Sequence, residues 1–275
     1  MSVELMTMTT RHRYGLTSVR EQLFVLAHDE TRSLKPHLHV PAIGVGLAGA
    51  ALTDLLIANR VHVVQGSPYL FNRGRCDHRW SSADGSTRSR QPDDSGRRTD
   101  GARSTAPVDE NTDDGCTTCG AVTEQVLATI VNLRHIPGLH LLLRELGPEL
   151  YRQTRRELID KNVITSDRRW GRSRYELTWI GSAAWVRQNV RYRIEGRQRP
   201  EPHIDALCAL TWALNLQHSL VIDLSDTETS NMLRAVMNRI TEKALLTDPD
   251  WPAAAIPEVA DAIRTAVGAL ATSPY

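Results

Sequence analysis

The stretch "RRELIDKNVITSDRRWGRSRYELTW", residues 155–179, runs from a helical pattern into a short apolar strand, an arginine-rich turn and a second strand. Arg168, Arg169, Arg172, Arg174 and Trp170 crowd that turn. The spacing predicts a small β-hairpin, and its basic end predicts a meeting with negative charge: nucleic acid, a membrane surface, or only solvent.

The rest of the chain says what kind of body carries this hairpin. A length of 275 residues can bury a sizeable core. Formal net charge is only +1, so attraction for an anion has to come from local clustering. Lysine occurs at positions 35, 161 and 243 alone, and arginine supplies nearly all the positive charge. Aromatic residues make up 5% and strand-favouring runs are short, which favours helices over a β-sandwich. The N-terminus lacks the basic start, apolar run and small-residue site of a secretory signal. "VPAIGVGLAGAALTDLLIANR", residues 40–60, has the length of a membrane span but carries Thr53 and Asp54, so it reads as a buried core helix. A cytoplasmic chain with free thiols is the resulting expectation.

Residues 21–30, "EQLFVLAHDE", form a short apolar element ending in a polar turn, and Pro41 sits well to open the first long helix. "VHVVQ" reads as a strand ended by Gly66, Ser67 and Pro68. Residues 72–118 are nearly devoid of apolar side chains and have no periodicity, so they are expected to be a disordered insertion. Helical patterning then resumes. Val122, Val126 and Ile130 form one stripe, and "GLHLLLREL" and "PELYRQTRRELIDKNVI" read as two helices with Pro148 near the start of the second. Three or four further helices close the chain. The expected organisation is an N-terminal tail, residues 1–20, and a single helical domain, residues 21–275, interrupted by the insertion.

Chemistry-bearing motifs are few. Cys76, His78, Cys116 and Cys119 are candidate zinc ligands, since "CTTC" has the two-residue spacing that brings both thiolates to one ion. "CDH" is a poor half-site, and scattered thiols in a biased segment explain the four as well, so no metal is expected. Gly44, Gly46 and Gly49 mimic a dinucleotide fingerprint, but no strand precedes them and close helix packing accounts for them better. No nucleophile elbow, zinc-protease motif or phosphate loop occurs, and neither an enzyme nor a cofactor is expected.

The hairpin itself supports two functional readings. Residues 139–178 fit a winged-helix outline, with Gly147 as the turn, Arg152, Arg155 and Arg156 on a recognition helix, and the hairpin as a wing on DNA. Alternatively the basic hairpin docks on anionic headgroups. Four cations at about 1 kcal/mol each give on the order of 4 kcal/mol, enough for reversible association, with Trp170 at the interface.

The succession "LFVLAHDE", "PAIGVGLAGAALTDLLIANRVHV", "ELIDKNVI" and the hairpin, followed by "HIDALCALTWALNLQHSLV" and "DWPAAAIPEVADAIRTAVGAL", resembles the Golgi phosphoprotein 3-like family, in particular its bacterial branch. The likeness covers roughly residues 20–70 and 120–270. It implies a mainly α fold, a helical-bundle core wrapped by amphipathic helices, with a small β-hairpin. It also implies a non-enzymatic, peripheral membrane adaptor that binds a phosphatidylinositol 4-phosphate-type headgroup on the cytoplasmic side of a membrane, with cytoplasmic tails of membrane proteins as further partners; the sequence leaves the oligomeric state open, a homo-oligomer included. On that reading Arg152, Arg155 and Arg156 line the headgroup site, and Arg168, Arg169, Trp170, Arg172 and Arg174 touch the membrane. The sequence departs from the family at His39, where the family has a Trp, and at Ala48, where it has an Arg. The hairpin end is arginine-rich here and apolar in eukaryotic members.

Overall fold

The computed structural model describes residues 15–64, 66–70, 120–133, 138–169, 172–220, 224–246 and 254–272. For a few of these, Arg168, Arg169 and Arg172 among them, it describes the backbone alone. Trp170, the expected insertion and the four candidate zinc ligands lie outside the described residues.

Eight helices are described: α1 (Val19–Leu26), α2 (Val40–Ile57), α3 (Ala121–Asn132), α4 (Leu139–Asp160), α5 (Gly181–Ile194), α6 (Pro202–Ala213), α7 (Asp226–Leu246) and α8 (Ile256–Thr272). Three antiparallel strand pairs accompany them: β1 (His28–Asp29) with β2 (Lys35–Pro36), β3 (Val61–Val64) with β4 (Ser67–Leu70), and β5 (Ile164–Arg169) with β6 (Arg172–Leu177). The fold is mainly α.

Helix α2 is the axis. It is apolar on every side, has Pro41 in its first turn, and is buried without a break from Ala42 to Leu56. It packs against α1, α3, α4, α6 and α8. Although long and apolar enough to cross a membrane, it is a core helix of this body. Its glycines serve contact. A Cβ on Gly44 would stand 2.5 Å from the Gly147 carbonyl oxygen, and one on Gly147 would stand 2.9 Å from the Val45 nitrogen, so α2 and α4 touch backbone to backbone.

That contact corrects the expectation of two helices around Gly147. Residues Leu139–Asp160 form one continuous helix with Pro148 inside it. Pro148 forfeits one backbone hydrogen bond, but Leu142, Leu143, Leu150, Tyr151 and Leu158 carry a single buried face across the interruption. Apolar burial on both sides holds the helix together, and Gly147 is small because α2 lies on it.

Helix α1 opens with a capping box, Ser18 receiving the Glu21 N–H while the Glu21 carboxylate accepts from the Ser18 N–H. Leu16, Ser18, Val19 and Arg20 are all buried. The body therefore begins ahead of residue 21, the boundary expected from the sequence. The α3 stripe of Val122, Val126 and Ile130 is buried as expected, and the buried face of α7 is formed by Leu233, Val236, Met237 and Ile240.

Candidate functional site

Helix α4 ends where the hairpin begins. Asn162 takes the left-handed conformation (φ 55°) and Val163 donates back to the Leu158 carbonyl at 2.9 Å, a turn that stops the helix and aims the chain into β5. The register pairs Ile164 with Leu177, Ser166 with Tyr175, Asp167 with Arg174 and Arg169 with Arg172.

Side chains alternate across a ribbon, and directly opposed residues share a face. Ile164 and Leu177 are buried and Tyr175 is half-buried, so their face is the inner one. Thr165, Asp167, Arg174 and Glu176 are exposed on the outer face. Of the hairpin arginines, Arg174 therefore belongs to the outer face.

The inner face is fastened to α4 by Arg155. Its guanidinium carbon lies 4.7 Å from the Tyr175 ring centre and 5.7 Å from that of Tyr151, on its own helix. Behind Tyr151, His28 stacks on Phe24 with ring centres 4.2 Å apart. The Phe24 carbonyl can only accept, so His28 Nδ1 donates to it at 2.6 Å and Nε2 accepts from the Tyr151 hydroxyl at 3.0 Å. Burial lowers the His28 pKa to about 4, and the ring is neutral at physiological pH.

The other expected headgroup residues are differently placed. Arg152 is exposed and paired with Glu149 one turn back on α4. Arg156 is exposed on the same helix. On β6, Arg174 Nε reaches Glu176 Oε1 at 2.9 Å and Ser33 Oγ at 2.6 Å, and both charged partners are largely in solvent. Exposed pairs of this kind contribute little, about 0–1 kcal/mol, and yield readily to a better anion. Across α4 four arginines meet four carboxylates, whereas the hairpin has four arginines against Asp167 and Glu176. Of these two elements, the hairpin carries the positive excess.

Beneath the site lies a charge network that the sequence reading missed. Arg20 is completely buried, with its terminal nitrogens 2.8 Å from Thr154 Oγ1 and 2.6 Å from Glu157 Oε2 on α4. Lys161 joins Glu157 at 2.8 Å and also bonds Glu21. Burial acts to raise the Glu157 pKa, but Arg20 and Lys161 outweigh it and hold it below its ordinary value. Asp54 of α2 accepts the Val19 N–H at 2.9 Å and the Arg20 N–H at 3.4 Å, and burial raises its pKa to about 7. The last turn of α4, from which the hairpin springs, is thus tied to the start of α1 and, through it, to α2.

The family model described as Golgi phosphoprotein 3 (GPP34) matches residues 19–266. The chain belongs to that family. No curated protein matches it. The match takes in the core helices, the hairpin and all of α1 through α7.

Two features of this Golgi phosphoprotein 3 family chain correct or sharpen the sequence reading. The winged-helix outline is overturned: Gly147 lies inside α4, so there is no helix–turn–helix in residues 139–160, and Arg155 is held between tyrosines instead of on an open recognition face. His39 caps α2 on the exposed side, whereas Ala48 is fully buried in the core, a position that contributes no cation to a surface site.

Proposed function

We propose that this chain is a non-enzymatic, peripheral membrane adaptor working on the cytoplasmic side of a membrane, where the hairpin and the outer face of α4 engage anionic phospholipid, with a phosphatidylinositol 4-phosphate-type headgroup as ligand. The observation that carries the reading is the hairpin: a ribbon with an excess of arginine, fixed at its base by Ile164, Leu177 and the Arg155–Tyr175 contact and projecting from a nearly neutral helical body. Family membership supports the adaptor role.

Electrostatics set the strength. At about 1 kcal/mol per net cation near an anionic surface, the hairpin's excess of two charges supplies on the order of 2 kcal/mol. Arg152 and Arg156 have to add their share for measurable binding, exchanging surface carboxylates for lipid phosphate, which arginine binds in bidentate geometry. A half-buried Arg155, held against Tyr151 and Tyr175, acts here by positioning the hairpin.

Co-flotation with vesicles tests the proposal. The full chain is expected to float with phosphatidylcholine vesicles containing phosphatidylinositol 4-phosphate and to stay behind with phosphatidylcholine alone. Arg168→Glu with Arg172→Glu should abolish flotation without moving the thermal midpoint. Equal recovery on neutral vesicles, or an unaffected double variant, overturns the proposal. Preference for phosphatidylinositol 4-phosphate over phosphatidylglycerol at matched surface charge tests the headgroup assignment.

A further inference from the structure

Between Gly181 and Pro200 the chain carries five arginines, at 187, 191, 193, 197 and 199, and one carboxylate, Glu195. Arg193 turns inward to a buried pair with Asp205 at 2.5 Å. Arg187, Arg191 and Arg197 instead line a surface pocket of about 540 Å³ together with Gln188, Tyr192 and Glu30, within the size range of small-ligand sites. From this we infer a second, separate phosphate-binding site on α5, and we assign it to the headgroup of a phospholipid. The inference rests on the membrane reading above but uses none of its residues.

The pocket is built to hold an anion. Arg187 grips the Glu30 carboxylate through both terminal nitrogens, which holds Glu30 below its ordinary pKa and fixes the guanidinium in place. Its Nε is buried without a hydrogen-bond partner among the described residues. Arg191 Nε and Arg197 Nε meet on the one carboxylate, Glu195, at 2.7 Å and 3.2 Å. Arg197 lies over the Tyr192 ring, 6.0 Å from its centre, and its side chain is 68% exposed, so its terminal nitrogens are open to an incoming ligand. Gln188 donates to the Tyr192 hydroxyl at 2.6 Å and steadies that ring. A phosphate entering here meets the open terminal nitrogens of Arg197, with the guanidiniums of Arg187 and Arg191 lining the same pocket and adding to its positive field.

A lipid, more than a free phosphate, fits what stands beside the pocket. At 100° per residue, Ile180, Ala184, Arg187 and Arg191 fall on one face of α5. Ile180 is 72% exposed and Trp179 is 61% exposed. The stripe therefore changes from apolar to cationic over about 10 Å of helix, at a rise of about 1.5 Å per residue. An exposed Trp beside an aliphatic side chain suits the interface between headgroup and acyl chain, with the arginines at phosphate depth.

Calorimetry on the full chain, with short-chain phosphatidic acid below its micellar concentration and inorganic phosphate as separate probes, tests the site. The short-chain lipid should bind, and Arg191→Gln with Arg197→Gln should weaken it by about tenfold or more. Arg168→Glu with Arg172→Glu should leave that affinity unchanged. Arg197→Gln alone, at an exposed position, serves if the pair impairs folding, and should lower affinity several-fold. Wild-type affinity in the pocket variants overturns the inference, whatever the hairpin variant does. Inorganic phosphate binding as tightly as the lipid, with Trp179→Ser plus Ile180→Ser floating like wild type, overturns the lipid assignment. Loss of flotation in the pocket variant and none in the hairpin variant supports this site and rejects the hairpin as the contact.

Discussion

Removing Glu157 should harm the fold more than removing Arg20, although the two form one ion pair. Arg20 is fully buried, and its guanidinium has two acceptors, Thr154 Oγ1 and Glu157 Oε2. Glu157→Leu strands that cation with a hydroxyl as its remaining partner, and breaking a buried pair in this way costs about 3–5 kcal/mol. Arg20→Met leaves Glu157 with Lys161 at 2.8 Å, so the loss is closer to that of charge-assisted hydrogen bonds, about 2–3 kcal/mol. The double variant replaces both charges by apolar side chains and should be more stable than Glu157→Leu alone, a coupling of at least about 2 kcal/mol. Urea unfolding at neutral pH, with a common slope for the variants, measures all three. A loss of about 4 kcal/mol corresponds to a midpoint lower by on the order of 10 °C for a body of this size. Amide exchange across Ile164–Leu177 should quicken in Glu157→Leu, because the network anchors the turn that launches β5. Additive single losses, or a larger loss for Arg20→Met, would refute the assignment of Glu157 as the ion-pair partner that compensates Arg20.

Two buried titratable groups should oppose each other between pH 5 and 6.5. His28 has a folded pKa of about 4, below its ordinary 6.5, so its contribution is complete above 6.5 and is lost as pH falls. Asp54, raised from 3.8 to about 7, binds the proton more tightly when folded, so its contribution is lost as pH rises. Stability of Asp54→Asn should therefore rise more steeply with pH than wild type, and that of His28→Gln should fall; parallel urea midpoints at pH 5 and 6.5 for the two variants would reject the assignment. Gly44→Ala must push a methyl group against the Gly147 backbone and should cost about 1–3 kcal/mol, whereas Gly268→Ala in α8, with nothing near its Cβ, should gain about 0.5–1 kcal/mol; thermal midpoints moving in opposite directions check both. Arg155→Gln should loosen the hairpin by about 1–2 kcal/mol, read as faster exchange in β6, and Arg156→Gln should not; unchanged exchange with lost vesicle binding would make Arg155 a direct ligand.

Much of the architecture was legible because apolar spacing reports which face of a helix is buried. The α3 stripe, the all-round apolar α2 and the hairpin all follow from that rule, and Gly44 was read as a packing residue before its partner was known. Gly147 was misread by the same local logic. A glycine followed by a proline signals a helix break when only the strand of sequence around it is considered. Here the decisive neighbour, Gly44, lies about a hundred residues away, and no local pattern reports it.

The charged residues were harder for a related reason. A run of arginines states how much charge a segment has, whereas function depends on where each guanidinium is already spent. Arg20 looked like part of a polar tail and is fully buried, the most deeply so of the cations among the described residues, while Arg155 looked like a ligand and is held between two rings. The "RQNVRYRIEGRQR" run reads locally as the charged end of a helix, yet the turn at Gly196 (φ 74°) that follows the helix lets it place three guanidiniums around one pocket. Net positive charge free to meet a partner is the quantity that matters, and it is the difference between the arginines of a segment and the carboxylates that the fold, not the sequence, brings to them.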